Sequence, residues 1–286
     1  MFGKSKKRRS GRWIAFLLLL ALLVWTAWEN TIVELNTYTI LSDRLPESFD
    51  GYRIAHVSDL HNATLGENNS KILDLLKSAE PDMIAITGDL VDSRNTDMEV
   101  AMAFVWEAVK IAPCYYVTGN HEGRLKNYDV LKAQLDAAGV VVLEDTSVKV
   151  TLEDASITIL GLQDPLAHGA YSTEEIEELA DSQLSELYTD KDSYTVMLFH
   201  RPSYFAVYAD HGVDLVLAGH MHGGQVRIPF LGGLYTPSHG FFPDYDAGLY
   251  NEGDTTMIVS RGLGNSVVPI RFNNPSELIL IDLQTE

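Results

Sequence analysis

Arg53-Ile54-Ala55-His56-Val57-Ser58-Asp59-Leu60-His61 is an apolar run that ends in a carboxylate and an imidazole two residues apart. With Pro46 and Gly51 punctuating the chain ahead of it, 53–57 reads as a strand and the Asp-x-His pair as the start of the loop that follows. Three more clusters have the same placement. Met83-Ile84-Ala85-Ile86-Thr87 runs into Gly88-Asp89-Leu90-Val91-Asp92, the strand 115–118 into Gly119-Asn120-His121-Glu122, and the strand 213–218 into Gly219-His220-Met221-His222. His200 ends a further run, 194–199, so one sheet can carry every cluster to a common edge.

Between these strands the apolar period becomes helical. It does so over 69–79 through Ile72, Leu73, Leu75 and Leu76, over 97–111 through Met98, Ala101, Val105 and Val109, and again over 127–138. Repeated β-α alternation predicts an α/β core, at least partly parallel, with helices covering both faces. From Thr146 onward antiparallel texture enters. The runs 148–152 and 157–160 flank Glu153-Asp154 as a hairpin, 174–187 is an acidic helix, and 203–211 is another helix. The Gly-, Pro- and aromatic-rich stretch 223–245 reads as a loop over the site. Strands are expected at 31–40, 255–260 and 278–283. No linker or repeat interrupts residues 30–286, which parse as one domain behind an N-terminal segment, 1–29.

Forty acidic residues oppose 21 basic ones, a formal charge of −19. Six of the basic residues (Lys4, Lys6, Lys7, Arg8, Arg9, Arg12) lie in the first twelve positions, leaving 15 against 40, or −25, for the rest. Such a surface is a poor one for nonspecific nucleic-acid binding, and no nucleic-acid partner is expected. Behind the basic cluster, 13–28 is uncharged, Leu-rich and bounded by Trp13 and Trp28, which predicts a single membrane anchor. No small-x-small site follows it, so cleavage is not expected, and Gly11 and Arg12 fit a twin-arginine signal poorly. With the basic flank retained inside, the domain faces outward. Cys114 stands alone in an apolar strand, so no intrachain disulfide exists and the thiol reads as a small buried hydrophobe.

Two divalent ions held side by side need a carboxylate able to bridge them and N and O donors around each. Asp59 with His61, and His220 with His222, are pairs that an extended loop can turn toward one ion. Asp89 is the natural bridge, and Asn120 offers a carbonyl oxygen without further charge. Here the chain resembles the calcineurin-like metallophosphoesterases, whose signature D-x-H, G-D-x-x-D, G-N-H-[DE], lone His and G-H-x-H is present in order. The bacterial membrane-associated branch that includes the YkuE and YaeI proteins is echoed in Gly219-His220-Met221-His222-Gly223-Gly224-Gln225, Leu234-Tyr235-Thr236-Pro237, Ser260-Arg261-Gly262-Leu263-Gly264 and Pro269-Ile270-Arg271-Phe272.

The resemblance, over residues 50–283, implies a four-layer αββα sandwich with two divalent ions, manganese, iron or zinc. It implies that Asp59, His61 and His222 hold one ion, Asn120, His200 and His220 the other, and that Asp89 bridges them. His121, not needed as a ligand, is assigned to the leaving-group oxygen, and Asp92 to orienting that imidazole, with helix capping as its alternative. Arg201 and Arg261 are candidate phosphate contacts, with salt bridges as the competing reading, and His239 a candidate for the substrate entrance. The expected function is phosphomonoester or phosphodiester hydrolysis at the membrane or cell envelope. Alternatives are hydrolysis of a phospholipid or a sugar-nucleotide-lipid pyrophosphate, and a non-catalytic, membrane-tethered metal-binding role. A phosphoester substrate and the membrane are the expected partners.

Overall fold

The computed structural model describes residues 5–237, 239–265 and 270–286, without the side chains of 5–10. Lys4, the side chains of Lys6, Lys7, Arg8 and Arg9, and Pro269 of the family-like motif lie outside the described residues.

In chain order the strands begin with β1 (Val33–Ser42), β2 (Tyr52–Val57), β3 (Met83–Thr87), β4 (Cys114–Val117) and β5 (Val141–Val142). They continue with β6 (Thr146–Leu152), β7 (Ala155–Gly161), β8 (Thr195–Leu198) and β9 (Leu215–Ala218). Four two-residue strands follow, β10 (Arg227–Ile228), β11 (Gly232–Gly233), β12 (Tyr235–Thr236) and β13 (Gly240–Phe241), and then β14 (Gly248–Glu252), β15 (Thr255–Val259) and β16 (Ser276–Thr285). The helices are α1 (Ser5–Glu29), α2 (Ser70–Ala79), α3 (Met98–Ala108), α4 (Tyr128–Ala138), α5 (Thr173–Leu187) and α6 (Phe205–His211).

Two six-stranded sheets result, ordered β1-β16-β2-β3-β4-β5 and β14-β15-β9-β8-β7-β6. In each, four neighbouring strands are parallel: β2 to β5 in the first, and β15, β9, β8 and β7 in the second. Parallel strands emit their following loops at one edge, and that edge carries the four clusters.

Side-chain alternation along the strands sets the layers. On β3, Ile84 and Ile86 pack with Ile72, Leu76, Phe104 and Leu131 of the helices α2 to α4, whereas Met83 and Ala85 meet residues of the second sheet such as Val196, Leu215 and Leu217. On β9 the second face, Val216 and Ala218, packs against Ile176 and Leu184 of α5 and Phe205 and Tyr208 of α6. Helices thus cover both outer faces of two facing mixed sheets. Near-continuous apolar strands are what burial on both faces demands. Cys114 lies in the first of these cores, where burial pushes its thiol up to about 12.

Capping explains several helix starts. Asp97 accepts from the amides of Glu99 and Val100 to begin α3, and Ser172 with Glu175 forms a capping box on α5. The helix expected over 13–28 extends back to Ser5, because Lys and Arg are good helix formers. Its stretch Gly11–Glu29 is long and apolar enough, by length and composition, to cross a membrane. The region 223–245, expected as irregular, is threaded by two antiparallel ladders, β10 with β11 and β12 with β13. β14 was not anticipated, since Gly248-Leu249-Tyr250-Asn251-Glu252 carries no β-branched residue and is only partly buried.

Candidate metal centre

The site is built where the strand ends of the two sheets meet. Asp59 and His61 follow β2, Asp89 follows β3, and Asn120 and His121 follow β4, all in the first sheet; His200 follows β8, and His220 and His222 follow β9, in the second. Backbone bonds lock these loops together. The Asp59 amide donates to the Gly88 carbonyl at 3.0 Å, the His61 amide to the Asp89 carbonyl at 3.0 Å, and the Gly219 amide to the His200 carbonyl at 3.1 Å. Across the sheets, His200 Nδ1 donates to the Thr87 carbonyl at 2.7 Å, which leaves Nε2 free to face the site.

Two glycines are required by this crossing. Gly88 has φ +83°, and a Cβ there would strike the Gly119 backbone; a Cβ on Gly219 would strike Ser58 Oγ and the Asp59 carboxylate. Asp59, His61, Asp89, His220 and His222 are themselves left-handed, with φ of 52°, 47°, 50°, 72° and 49°. Non-glycine residues in that region cost roughly 1–3 kcal/mol each, and they gather where a site over-determines the backbone.

The structure brings Asp59, His61 and His222 into one group and Asp89, His200 and His220 into a second, each with its donor atoms converging. Nε2 of His61 lies 3.1 Å from Nε2 of His222, and Nδ1 of His220 lies 3.3 Å from Nε2 of His200. Asp59 Oδ1 is 3.3 Å from His222 Nε2, and Asp89 Oδ2 is 3.3 Å from His200 and 3.5 Å from His61. Asp89 therefore faces both groups. Donors bonded at about 2.0–2.2 Å to one tetrahedral or octahedral ion stand roughly 3.0–3.5 Å apart, so the donor set fits a cation at each group. The Asn120 amide lies 2.6 Å from His220 Nδ1. With its nitrogen there it donates to the ring; with its oxygen there both lone pairs face one point, as a shared cation requires.

Charge supports the same reading. Burial would raise both carboxyls, but the surrounding imidazoles, His222 and His61 for Asp59 and His200 for Asp89, hold them well below the usual carboxylate range. Burial works to lower His200, yet the Asp89 carboxylate overrides it and holds the ring up at about 10, so the proton on Nε2 is one that a cation beside the same carboxylate would displace. Burial lowers His220 well below its ordinary value and His222 to about 3, so both rings are neutral and able to ligate.

His121 borders the first group, its ring 4.6 Å from that of His61. At Nδ1 it accepts from the Ser93 amide at 2.9 Å, which fixes the proton on Nε2. Burial pulls the ring below its ordinary value, so it is neutral at pH 7. The orienting hydrogen bond assigned to Asp92 is thus made by Ser93. Asp92 stands 3.3 Å from Nδ1 but is engaged by Arg94, which donates to it at 2.9 and 2.6 Å. Nor does it cap the following helix, a role taken by Asp97.

Several supports were invisible in the sequence. Glu122, left without a role above, is buried and accepts from the amides of Gly119, Asp89 and Val91 at 2.7, 2.8 and 3.1 Å, tying two ligand loops together. Burial and the nearby Asp89 charge push its carboxyl up to about 7, and the three donors favour the ionised form. Glutamine cannot accept from all three, so Glu122→Gln is expected to weaken metal binding about 10–100-fold with the fold intact. Metal titration followed by circular dichroism checks this; unchanged affinity would remove the role. Fully buried Arg271 lies 3.5 Å from His222 Nδ1, and Asn274 donates to the His222 carbonyl at 2.7 Å.

Arg201 and Arg261 turn out to be salt-bridged. Arg201 donates to buried Asp164 at 2.6 and 3.1 Å, and Arg261 pairs with Glu34 at 2.9 Å and Glu277 at 3.1 Å. The His239 ring lies 6.2 Å from that of His220.

Residues 52–224 match the family model described as calcineurin-like phosphoesterase. The chain is 31% identical to an uncharacterized metallophosphoesterase, YkuE, of Bacillus subtilis, over 90% of this chain and 87% of that one. It is 28% identical to a transmembrane protein with a metallophosphoesterase domain from Bos taurus, over 87% of this chain and 56% of the other. The similarity therefore reaches beyond one bacterial branch. The solved structure of TT1561 from Thermus thermophilus shares the fold at a TM-score of 0.52 and 16% identity, covering 74% of this chain and 89% of that one. Fold, family match and paired Asp/His groups agree, and the chain belongs to the calcineurin-like phosphoesterase family as a metal-dependent hydrolase.

Proposed function

We propose that this chain hydrolyses phosphodiesters or phosphomonoesters at a membrane surface, with Asp59, His61 and His222 holding one divalent ion, Asn120, His200 and His220 the other, and Asp89 between them. The observation that carries the reading is that Asp89 faces both groups of converging donors. Manganese, iron and zinc all suit mixed imidazole, carboxylate and amide ligation. When bound, the ions supply positive charge to the phosphoryl oxygens and acidify a water.

The chain's own residues do the rest. As water oxygen bonds to phosphorus and the ester P–O bond breaks, His121 donates a hydrogen bond from Nε2 to the departing oxygen, stabilising its charge; that oxygen then takes its proton from solvent. Ser93 keeps the ring in this tautomer, and the Asp92–Arg94 pair keeps the segment in place. α1 supports an anchor, and its basic flank, if kept inside, turns the catalytic part outward.

Full-length protein in detergent, stripped of metal and reloaded with Mn²⁺, Fe²⁺ or Zn²⁺, is expected to release p-nitrophenol from its phosphate monoester or diester only when loaded. No turnover of either compound with any of the metals would overturn the activity. The same compounds given to intact cells should be turned over without lysis; activity that emerges only after lysis would overturn the outward orientation.

A further inference from the structure

The β10–β11 hairpin starts at Arg227 and continues through the uncharged run Ile228-Pro229-Phe230-Leu231-Gly232-Gly233, and its tip carries Phe230 and Leu231 at 106% and 65% exposure. Two exposed apolar side chains side by side on a turn are costly in water and call for a cover. The ribbon continues apolar. The Leu234 amide donates to the Val226 carbonyl at 2.8 Å, and the Phe242 amide to the Leu234 carbonyl at 3.0 Å, bringing in the second ladder with exposed Tyr235, Phe241 and Phe242.

What lies beside this hairpin says what covers it. Its base is fastened to the end of α1 through residues 271–273. The Arg227 amide donates to the Phe272 carbonyl at 3.0 Å and Asn273 Nδ2 to the Arg227 carbonyl at 3.2 Å, while the Asn273 amide donates to Glu29 at 2.7 Å. Asn30 and Arg271 exchange a further pair of bonds at 2.8 and 3.0 Å. Glu29 is buried in this joint, and immediately before it stand exposed Trp25 and Trp28, ring to ring at 5.6 Å. Tryptophans at the end of an apolar helix mark the level of the lipid headgroups. A tip three residues from its base can extend about 10 Å beyond that base.

The hairpin is also continuous with the metal centre, since His222 lies only a few residues ahead of β10 and its carbonyl is held by Asn274. We infer that the β10–β11 hairpin is an interfacial wedge that inserts Phe230 and Leu231 into the bilayer crossed by α1 and holds the metal centre at headgroup level. The substrates in reach are then phosphoesters borne at the membrane surface. This rests on the anchor reading of α1.

The test uses the full chain in vesicles of phosphatidylethanolamine and phosphatidylglycerol. A thiol-reactive fluorophore is attached in the L231C or F230C variant and, as control, in Y171C, whose site is exposed at the start of α5; buried Cys114 stays unlabelled. An interfacial element sits roughly 5–10 Å deep, so doxyl-lipid quenching at 231 or 230 should exceed that at 171 by at least about threefold. Extraction of the chain by alkaline carbonate would overturn the anchor reading and the wedge with it. A retained chain with equal quenching at the hairpin and at 171 would overturn the wedge alone. Turnover of the soluble aryl phosphates by the labelled variants verifies that each is folded.

Discussion

Asp89→Asn is expected to abolish turnover and to strip the centre of both ions. The carboxylate is buried between His61 and His200 at 3.5 and 3.3 Å, and its Oδ1 also accepts from the His121 amide at 2.7 Å. An asparagine keeps the shape and loses the charge that offsets two cations and the imidazoles. Breaking a buried charge cluster costs about 3–5 kcal/mol, which at ~1.4 kcal/mol per decade is on the order of a thousandfold in affinity or rate. Metal analysis of the purified variant beside its rate decides the matter. Wild-type metal content together with wild-type turnover would mean that the two groups are not one centre.

His121→Ala separates chemistry from binding. On the proposed mechanism the ring is a neutral donor rather than a ligand, so kcat should fall about 10²–10³-fold, the usual loss for one charge-stabilising donor. Metal content should stay unchanged, and His121→Gln, which keeps an N–H, should recover part of the rate. The deficit should widen for alkyl esters, whose departing oxygen carries more charge than p-nitrophenolate. His121 also groups with His61 and Asp92, so a drop in bound metal would reassign it as a ligand.

Much of this was legible because the chain repeats one device: an apolar run, a glycine or acid, then a donor. Periods of two and 3.6 are local, and strands β2, β3, β4, β8 and β9 fell within a residue or two of expectation. What stayed hidden depends on contacts between distant segments. β1 pairs with β16 from the far end of the chain, Val33 opposite Ser276. Glu122 has a role only because Gly88 and Gly119 touch, and Arg271 and Asn274 only because the last loop folds back on His222. Ser93 displaced Asp92 at the His121 ring because a backbone amide, which every residue owns, leaves no trace in a motif.

Each donor group is drawn from both halves of the sandwich: Asp59 and His61 from the first sheet with His222 from the second, Asp89 from the first with His200 and His220 from the second. Cations held by these groups would cross-link the two sheets at their shared edge. Holding the two sheets together at this edge then becomes part of what the cations do, so loading is expected to raise the temperature at which the domain melts, as a scan with and without metal would show.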